Sequence, residues 1–177
     1  MPFRRDHQEE FEHTAIPHTR ALLRVARRLT GRSSAAEDLV QETLLLAWRG
    51  FGRYQPDTNI RAWLFRILFN TFYGQGRRRA ATLVPLSPVL ALRSPGPDDA
   101  IEVTRALDAL EPDHRAVLML GVVEGFSCRE MAEILDVPIG TVMSRMSRAR
   151  EAMRKLINHR EPHRQPALAG THGGATR

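Results

Sequence analysis

The side chains best placed for chemistry in this sequence are hydrogen-bond donors rather than nucleophiles. Thr141, Ser144, Arg145 and Arg148 recur at three- and four-residue spacing inside Val137 to Arg160. That run also carries Arg150, Arg154, Lys155 and Arg160 against one acid, Glu151. On a helix this spacing sets the four on one side. An arginine fork beside short hydroxyls suits phosphate oxygens and the guanine edge of the major groove. A second basic block, Ile60 to Arg79, holds Arg61, Arg66, Arg77, Arg78 and Arg79 and no acid. In and before it stand Tyr54, Trp63, Phe65, Phe69, Phe72 and Tyr73. Aromatic faces of this kind can stack on unpaired bases, at roughly 1–3 kcal/mol per base. Trp63 falls on the apolar side and reads as core. Asp57, Thr58 and Asn59 are short polar residues able to bond one base edge, or simply to build a turn and cap the helix; Asn59 suits either task. Between the two blocks, Ala100 to Asp136 has eight acids against three arginines. Two separated basic blocks predict two separate contacts with a polyanion.

Other chemistry is not encoded in any recognisable spacing. Cys128 is the single cysteine of the 177 residues, which excludes a disulfide within the chain and a multi-cysteine zinc site. His7, His13, His18, His159, His163 and His172 lie in terminal segments without ligand spacing, and His114 reads as surface or packing. There is no glycine loop to cradle a phosphate and no nucleophile–base pair. The expectation is no catalytic residue, no metal, no cofactor and no small-molecule substrate. The net charge is +6, the sequence pI about 10.8, and Lys155 is the only lysine among 26 cations. A GC-rich codon bias would explain the arginine total equally well, so its distribution is the informative quantity. At 42% hydrophobic and 26% charged the chain can bury a core. It has no apolar run of about 18 residues and no apolar segment near Met1, which predicts a cytoplasmic protein without direct membrane insertion.

The elements that must hold these residues read as helices throughout. The sequence predicts an all-α protein of two small helical domains joined by a flexible linker: residues 10–80, linker 81–99, residues 100–158, and a disordered tail 159–177. Ala15, Thr19, Leu22, Ala26 and Leu29 keep one helical side up to Gly31. Ser34 to Glu37 has the form of a capping box, opening a helix that buries Ala36, Leu39, Val40, Thr43, Ala47 and Trp48. Gly50 to Asn59 reads as a loop. The third helix sets Ile60, Trp63, Leu64, Ile67, Leu68 and Thr71 on one side, and Gly74 and Gly76 predict a weakened end. Pro85, Pro88, Pro95 and Pro97 mark the linker. In the second unit Pro112 opens a helix that Gly125 closes. Ser127 to Glu130 forms another capping box, with Phe126 and Met131 spaced as a hydrophobic staple. A turn at Asp136-Val137-Pro138 leads to a last helix burying Val142, Met146, Ala149, Met153 and Leu156. A short capped helix, a tight turn and a basic second helix make a helix-turn-helix.

Gly125-Phe126-Ser127, Met131 to Leu135 and Pro138 to Arg150 together resemble region 4 of bacterial sigma factors, specifically the extracytoplasmic-function group of the sigma-70 family. Ala36 to Thr43 resembles that group's region 2.2, and Asn59 to Ile67 with Asn70 its regions 2.3 and 2.4. The resemblance covers about residues 10 to 158. Met143, Met146 and Cys128 depart from the residues common at those positions. The resemblance implies a non-enzymatic factor that binds core RNA polymerase, at the β′ clamp and β flap, and recognises and helps open promoter DNA. It places core binding on Asp38, Gln41, Glu42 and Leu45, off the buried stripe of the second helix. Reading of the −10 element falls to Asp57, Thr58, Asn59, Arg61, Arg66 and Asn70, and of the −35 element to Thr141, Ser144, Arg145 and Arg148. A cognate anti-sigma factor is an expected partner. The alternative is a sigma-like decoy that sequesters an anti-sigma factor without binding DNA. An ordinary helix-turn-helix repressor would leave residues 36 to 73 unexplained.

Overall fold

Apolar residues at helical spacing set the first unit. The computed structural model describes residues 3–56, 58–81 and 98–158, which form eight α-helices with no strand among them. Asp57, most of the linker and the tail 159–177 lie outside the described residues. Helix α2 (Thr19–Thr30) buries Leu22, Val25, Ala26 and Leu29 and stops at Gly31, whose φ of 67° lets its N–H reach the Arg27 carbonyl at 2.9 Å. Helix α1 (Phe3–Thr14) precedes it and carries no apolar stripe. Phe11 and His7 set their rings edge-on against Trp48 and Phe51 at 5.1–5.2 Å between centroids.

Helix α3 (Ser33–Gly50) buries Ala36, Leu39, Val40, Thr43 and Ala47 as the spacing predicts. Its start differs from the expected capping box. The helix begins two residues earlier, with Arg32 at the N-cap, so Ser33 and Glu37 bond side by side at 3.0 Å and Ser34 caps nothing. Trp48 also departs from expectation, standing 39% exposed at the rim of the stripe. A turn at Phe51–Arg53 leads to α4 (Ile60–Ala81), which continues through Gly74 and Gly76 instead of ending there.

In the second unit α5 (Asp98–Asp108) is followed by α6 (Pro112–Leu118), with Pro112 in its first turn, where no intrahelical N–H bond is required. Met119–Val123 widen into a π-helical turn, and Gly125 closes it at φ 72°. Helix α7 (Cys128–Leu135) opens with the expected box. The Glu130 amide donates to Ser127 Oγ at 3.2 Å and the Ser127 amide donates to Glu130 Oε2 at 2.8 Å. Asp136, at φ 54°, makes the tight turn into α8 (Ile139–Asn158).

One apolar core runs through both units, from Leu22, Leu39 and Phe65 to Val117, Ile134 and Val142. Its seam sets α4 against α7 and α2 against α6. Arg115 of α6 pins that seam. Its guanidinium donates to the carbonyls of Leu107, Asp108 and Leu110 at 3.0, 2.6 and 2.9 Å, and to the Arg28 carbonyl at the end of α2 at 2.7 Å. A cation there satisfies carbonyls that the two helix ends leave bare.

Candidate nucleic-acid interface

The capped helix-turn-helix of α7 and α8 presents the residues expected to read DNA. Val142, Met146 and Ala149 bury one side of α8 against α6 and α7. That leaves Ser144 and Arg148 exposed and Thr141 half-exposed on the far side. Ser144 Oγ donates to the Thr141 carbonyl at 3.0 Å, which fixes its rotamer on the helix surface. Arg145 stands at the edge of the stripe. Its guanidinium is half-buried, 2.5 Å from the Asp113 carboxylate of α6. The same carboxylate accepts a hydrogen bond from the Tyr73 hydroxyl of α4 at 3.0 Å. Burial first, and the charge of Asp113 second, push the Tyr73 phenol far above its ordinary value, so it remains a donor. Met143 is 59% exposed beside this face.

The second cluster is built on the loop before α4. Tyr54 stacks on Phe51 and packs against Trp63, and its hydroxyl donates to the Thr58 carbonyl. Thr58 Oγ1 donates to the Gln55 carbonyl at 2.8 Å. The loop is thus closed on itself before any ligand arrives. Asn59 is a helix cap, accepting from the Ala62 amide at 3.1 Å, while its Nδ2 donates to Glu130 at 2.9 Å. Arg66 and Asn70 are exposed farther along α4. The aromatics divide. Phe65 and Phe69 are buried and cannot be the stacking platforms the sequence suggested; Phe65 meets Phe126 edge-on at 5.3 Å. Tyr54, Trp63, Phe72 and Tyr73 are half-buried.

Arg61 lies in the seam. One of its terminal nitrogens stands 2.5 Å from Glu124 Oε2 and 2.6 Å from the Glu124 carbonyl, and the guanidinium lies 4.4 Å over the Phe126 ring. Arg24 of α2 completes the Glu124 site, with Nε at 2.9 Å and Nη2 at 2.8 Å from Oε1. The Glu124 side chain is 1% exposed. A carboxylate so buried is tolerated because two guanidinium groups and their hydrogen bonds replace its water. Neither Glu124 nor Arg24 stood out in the sequence. An acid just past the π-helical turn breaks no apolar repeat, so no pattern marks it. Arg61 did carry a signal: four residues before Phe65 it must share that residue's side of the helix.

Two further charges report the same seam. His18 lies below its ordinary pKa, first from burial and then from the charge of Arg61. Glu130 lies below the usual carboxylate range because the Ser127 amide and hydroxyl donate to it, with Asn59 adding a smaller effect. On the solvent side of α3, Asp38 and Gln41 are exposed and Glu42 half-exposed. Leu45, Leu46 and Trp48 continue that strip as exposed apolar surface. Among the described residues no cluster of His, Cys, Asp and Glu could hold a metal ion, and no helix is long and apolar enough to cross a membrane.

Comparison with known proteins places both units. Residues 16–82 match the family Sigma-70 region 2, and residues 100–153 match the family Sigma-70, region 4. The ECF RNA polymerase sigma factor EcfG of Rhodopseudomonas palustris is 38% identical over 149 residues, covering 81% of this chain and 81% of that protein. The ECF RNA polymerase sigma factor SigE of Mycolicibacterium smegmatis is 35% identical over 151 residues, 79% of this chain; the chain spans 58% of that relative's length. The sigma factor RpoE, solved in complex with the anti-sigma factor NepR from Bartonella quintana, superposes with a TM-score of 0.71 at 34% identity. That match covers 85% of this chain and 98% of the solved one.

Proposed function

The chain belongs to the extracytoplasmic-function group of RNA polymerase sigma-70 factors, and from that premise we propose that it binds core RNA polymerase, directs it to specific promoters and assists their opening. It acts in the cytoplasm as a binding factor with no catalytic site of its own. The observation that carries this reading is the capped helix-turn-helix whose exposed side bears Thr141, Ser144 and Arg148. There α8 enters the major groove at the −35 element, and Arg145 joins it once released from Asp113. Thr58, Asn59, Arg61, Arg66 and Asn70, with Asp57, take the −10 strand. Asp38, Gln41, Glu42 and Leu45 dock on the polymerase clamp, where exposed apolar surface beside acids suits a basic helical partner. An anti-sigma factor is the natural regulator, as the RpoE complex illustrates for that protein.

The test is transcription in vitro with purified core polymerase on fragments of the source genome. The expected result is a set of transcripts whose start sites share −35 and −10 sequences, with Arg148→Ala depleting them. Glu42→Arg should lower core affinity and leave helix content unchanged. A decoy would bind an anti-sigma factor yet give no transcript above core polymerase alone, and that outcome would overturn the proposal.

A further inference from the structure

The three residues that depart from the common sigma-factor pattern, Cys128, Met143 and Met146, line one cleft together with Met131. The cleft has a volume of about 490 Å³ and lies between α7, α8 and the π-helical turn. Sulfur is concentrated in this part of the chain. Apart from Met1, every methionine and the single cysteine fall within residues 119–153. We propose that the cleft is a site for a soft monovalent metal ion, Cu(I), held by the Cys128 thiolate and the thioethers of Met131, Met143 and Met146.

Each helix supplies a pair of sulfurs at the same spacing. Cys128 and Met131 stand three residues apart on α7, and Met143 and Met146 three apart on α8, so each pair shares a side of its helix. The sulfurs differ in depth. Met131 and Met146 are buried, Cys128 is half-buried and Met143 is 59% exposed. Gly121 forms the floor under the inner pair. A Cβ there would stand 2.7 Å from the Met146 methyl and 3.3 Å from the Met131 sulfur, so the bare backbone is what lets the two thioethers converge. Packing alone would account for these two buried methionines. It does not account for Met143, which spends most of its surface on solvent at the mouth of the cleft. A methionine turns about three side-chain bonds, so Met143 can fold from the rim onto an ion held below it.

The donor set chooses the ion. Among the described residues that line the cleft none is a carboxylate or an imidazole, so hard cations such as Mg(II) and Ca(II) find no side-chain oxygen pair. Zn(II) finds a single strong ligand. A thiolate with thioethers suits Cu(I) instead. Arg150 and Arg154 line the same cleft and favour an ion of low charge. As the sulfur–copper bond forms, the Cys128 thiol gives its proton to water, so Cu(I) enters without changing the net charge beside the arginines. A divalent ion would add one positive charge there. The bound ion joins α7 to α8 across the turn of the helix-turn-helix, and a ligand held by the folded arrangement stabilises it. The site does not depend on the promoter reading, which uses Thr141, Ser144, Arg145 and Arg148.

The test titrates the full chain, without oxygen and with ascorbate, against Cu(I) held by the coloured chelator bicinchoninate. Wild type should withdraw about one equivalent, and excess Zn(II) should not return it to the chelator. X-ray absorption should show sulfur alone around the copper, and loading should raise the melting temperature. Cys128→Ser, Met131→Leu and Met143→Leu should each weaken retention by about tenfold or more, the least that loss of a supporting contact costs a metal site. Met153→Leu, outside the cleft, should retain copper as wild type does. No withdrawal by wild type would overturn the site. Retention unchanged by both Met131→Leu and Met143→Leu would leave a lone thiol and overturn it equally. Nitrogen ligands in the absorption spectrum would assign the copper to histidines, and displacement by Zn(II) would refute the soft donor set; either result overturns the proposal. Leucine keeps the volume of methionine, so the methionine variants should fold. If circular dichroism shows that Cys128→Ser has lost helix, Met143→Leu at the exposed rim and the absorption spectrum decide the matter.

Discussion

Helix α4 buries Leu64, Phe65, Leu68 and Phe69, with Trp63 and Ile67 packed beside them, so most of its circumference faces protein. Helix α8 buries Val142, Met146 and Ala149, with Ala152, Met153 and Leu156 packed beside them, and leaves the opposite side open. Both carry arginines, yet they place them differently. On α8, Arg148 is exposed without any rearrangement, whereas on α4 the first arginine, Arg61, points into the seam with Phe65. A helix that is structural on most sides must present its ligands at its ends and along a narrow strip. A helix docked on one side has room for a reading face.

The largest expected effect tests the burial half of this contrast. Phe65→Ala should destabilise the chain by about 3–5 kcal/mol, and Met153→Ala, half-buried on α8, by no more than about 2 kcal/mol in urea titration. Equal losses would break the distinction. The reading half comes next. Arg148→Ala should weaken holoenzyme binding to a −35 duplex by about 1–3 kcal/mol if it bonds a base edge, with discrimination lost at one position. Arg66→Ala on α4 should instead weaken all promoters alike and lower the salt slope of binding by about one. Footprints that show the reverse pattern would exchange the roles of the two helices. A smaller loss, about 1 kcal/mol, is expected for Ser127→Ala, which removes the cap that sets the angle of α7 beneath α8. Thermal melts would detect it. The smallest effect is a pH dependence in the first unit. His18 is held below its ordinary 6.5 by burial and by Arg61, so the unfolded chain binds more protons just below that value. Stability is therefore fully present above pH 6.5 and falls as pH drops through the lowered value. Urea midpoints at pH 7.5 and 5.5 should differ in this sense, and His18→Gln should reduce the difference.

Much of this arrangement was legible from residue types. The stripes of α2, α3 and α8, the cap at Ser127, the stop at Gly31 and the cap at Asn59 follow from local rules, because each depends on neighbours within one or two helical turns. Helix α1 was missed because Phe11, the one buried residue among its described side chains, holds it to Trp48 and Phe51 through ring contacts rather than through a stripe. Phe65 and Phe69 were misread for the opposite reason. Periodicity selects one buried side, and α4 has more than one because a second layer, α7, packs on it. The partners of Arg61 and Arg145 were not legible at all. Glu124 lies 63 residues from Arg61, and no spacing rule spans that distance.

The guanidinium of Arg115 imposes an order of assembly. Its bond to the Arg28 carbonyl joins residues 87 apart, while its other three carbonyls lie within eight residues of it. The corner between α5 and α6 can therefore close around Arg115 locally and early, carrying a cation already aimed outward at one missing acceptor. The end of α2, made first on the ribosome, keeps its carbonyl in water until that corner emerges. Joining them is a late, long-range step whose entropy cost falls on the whole intervening chain. Refolding is accordingly expected to finish with the docking of preformed pieces rather than in a single collapse.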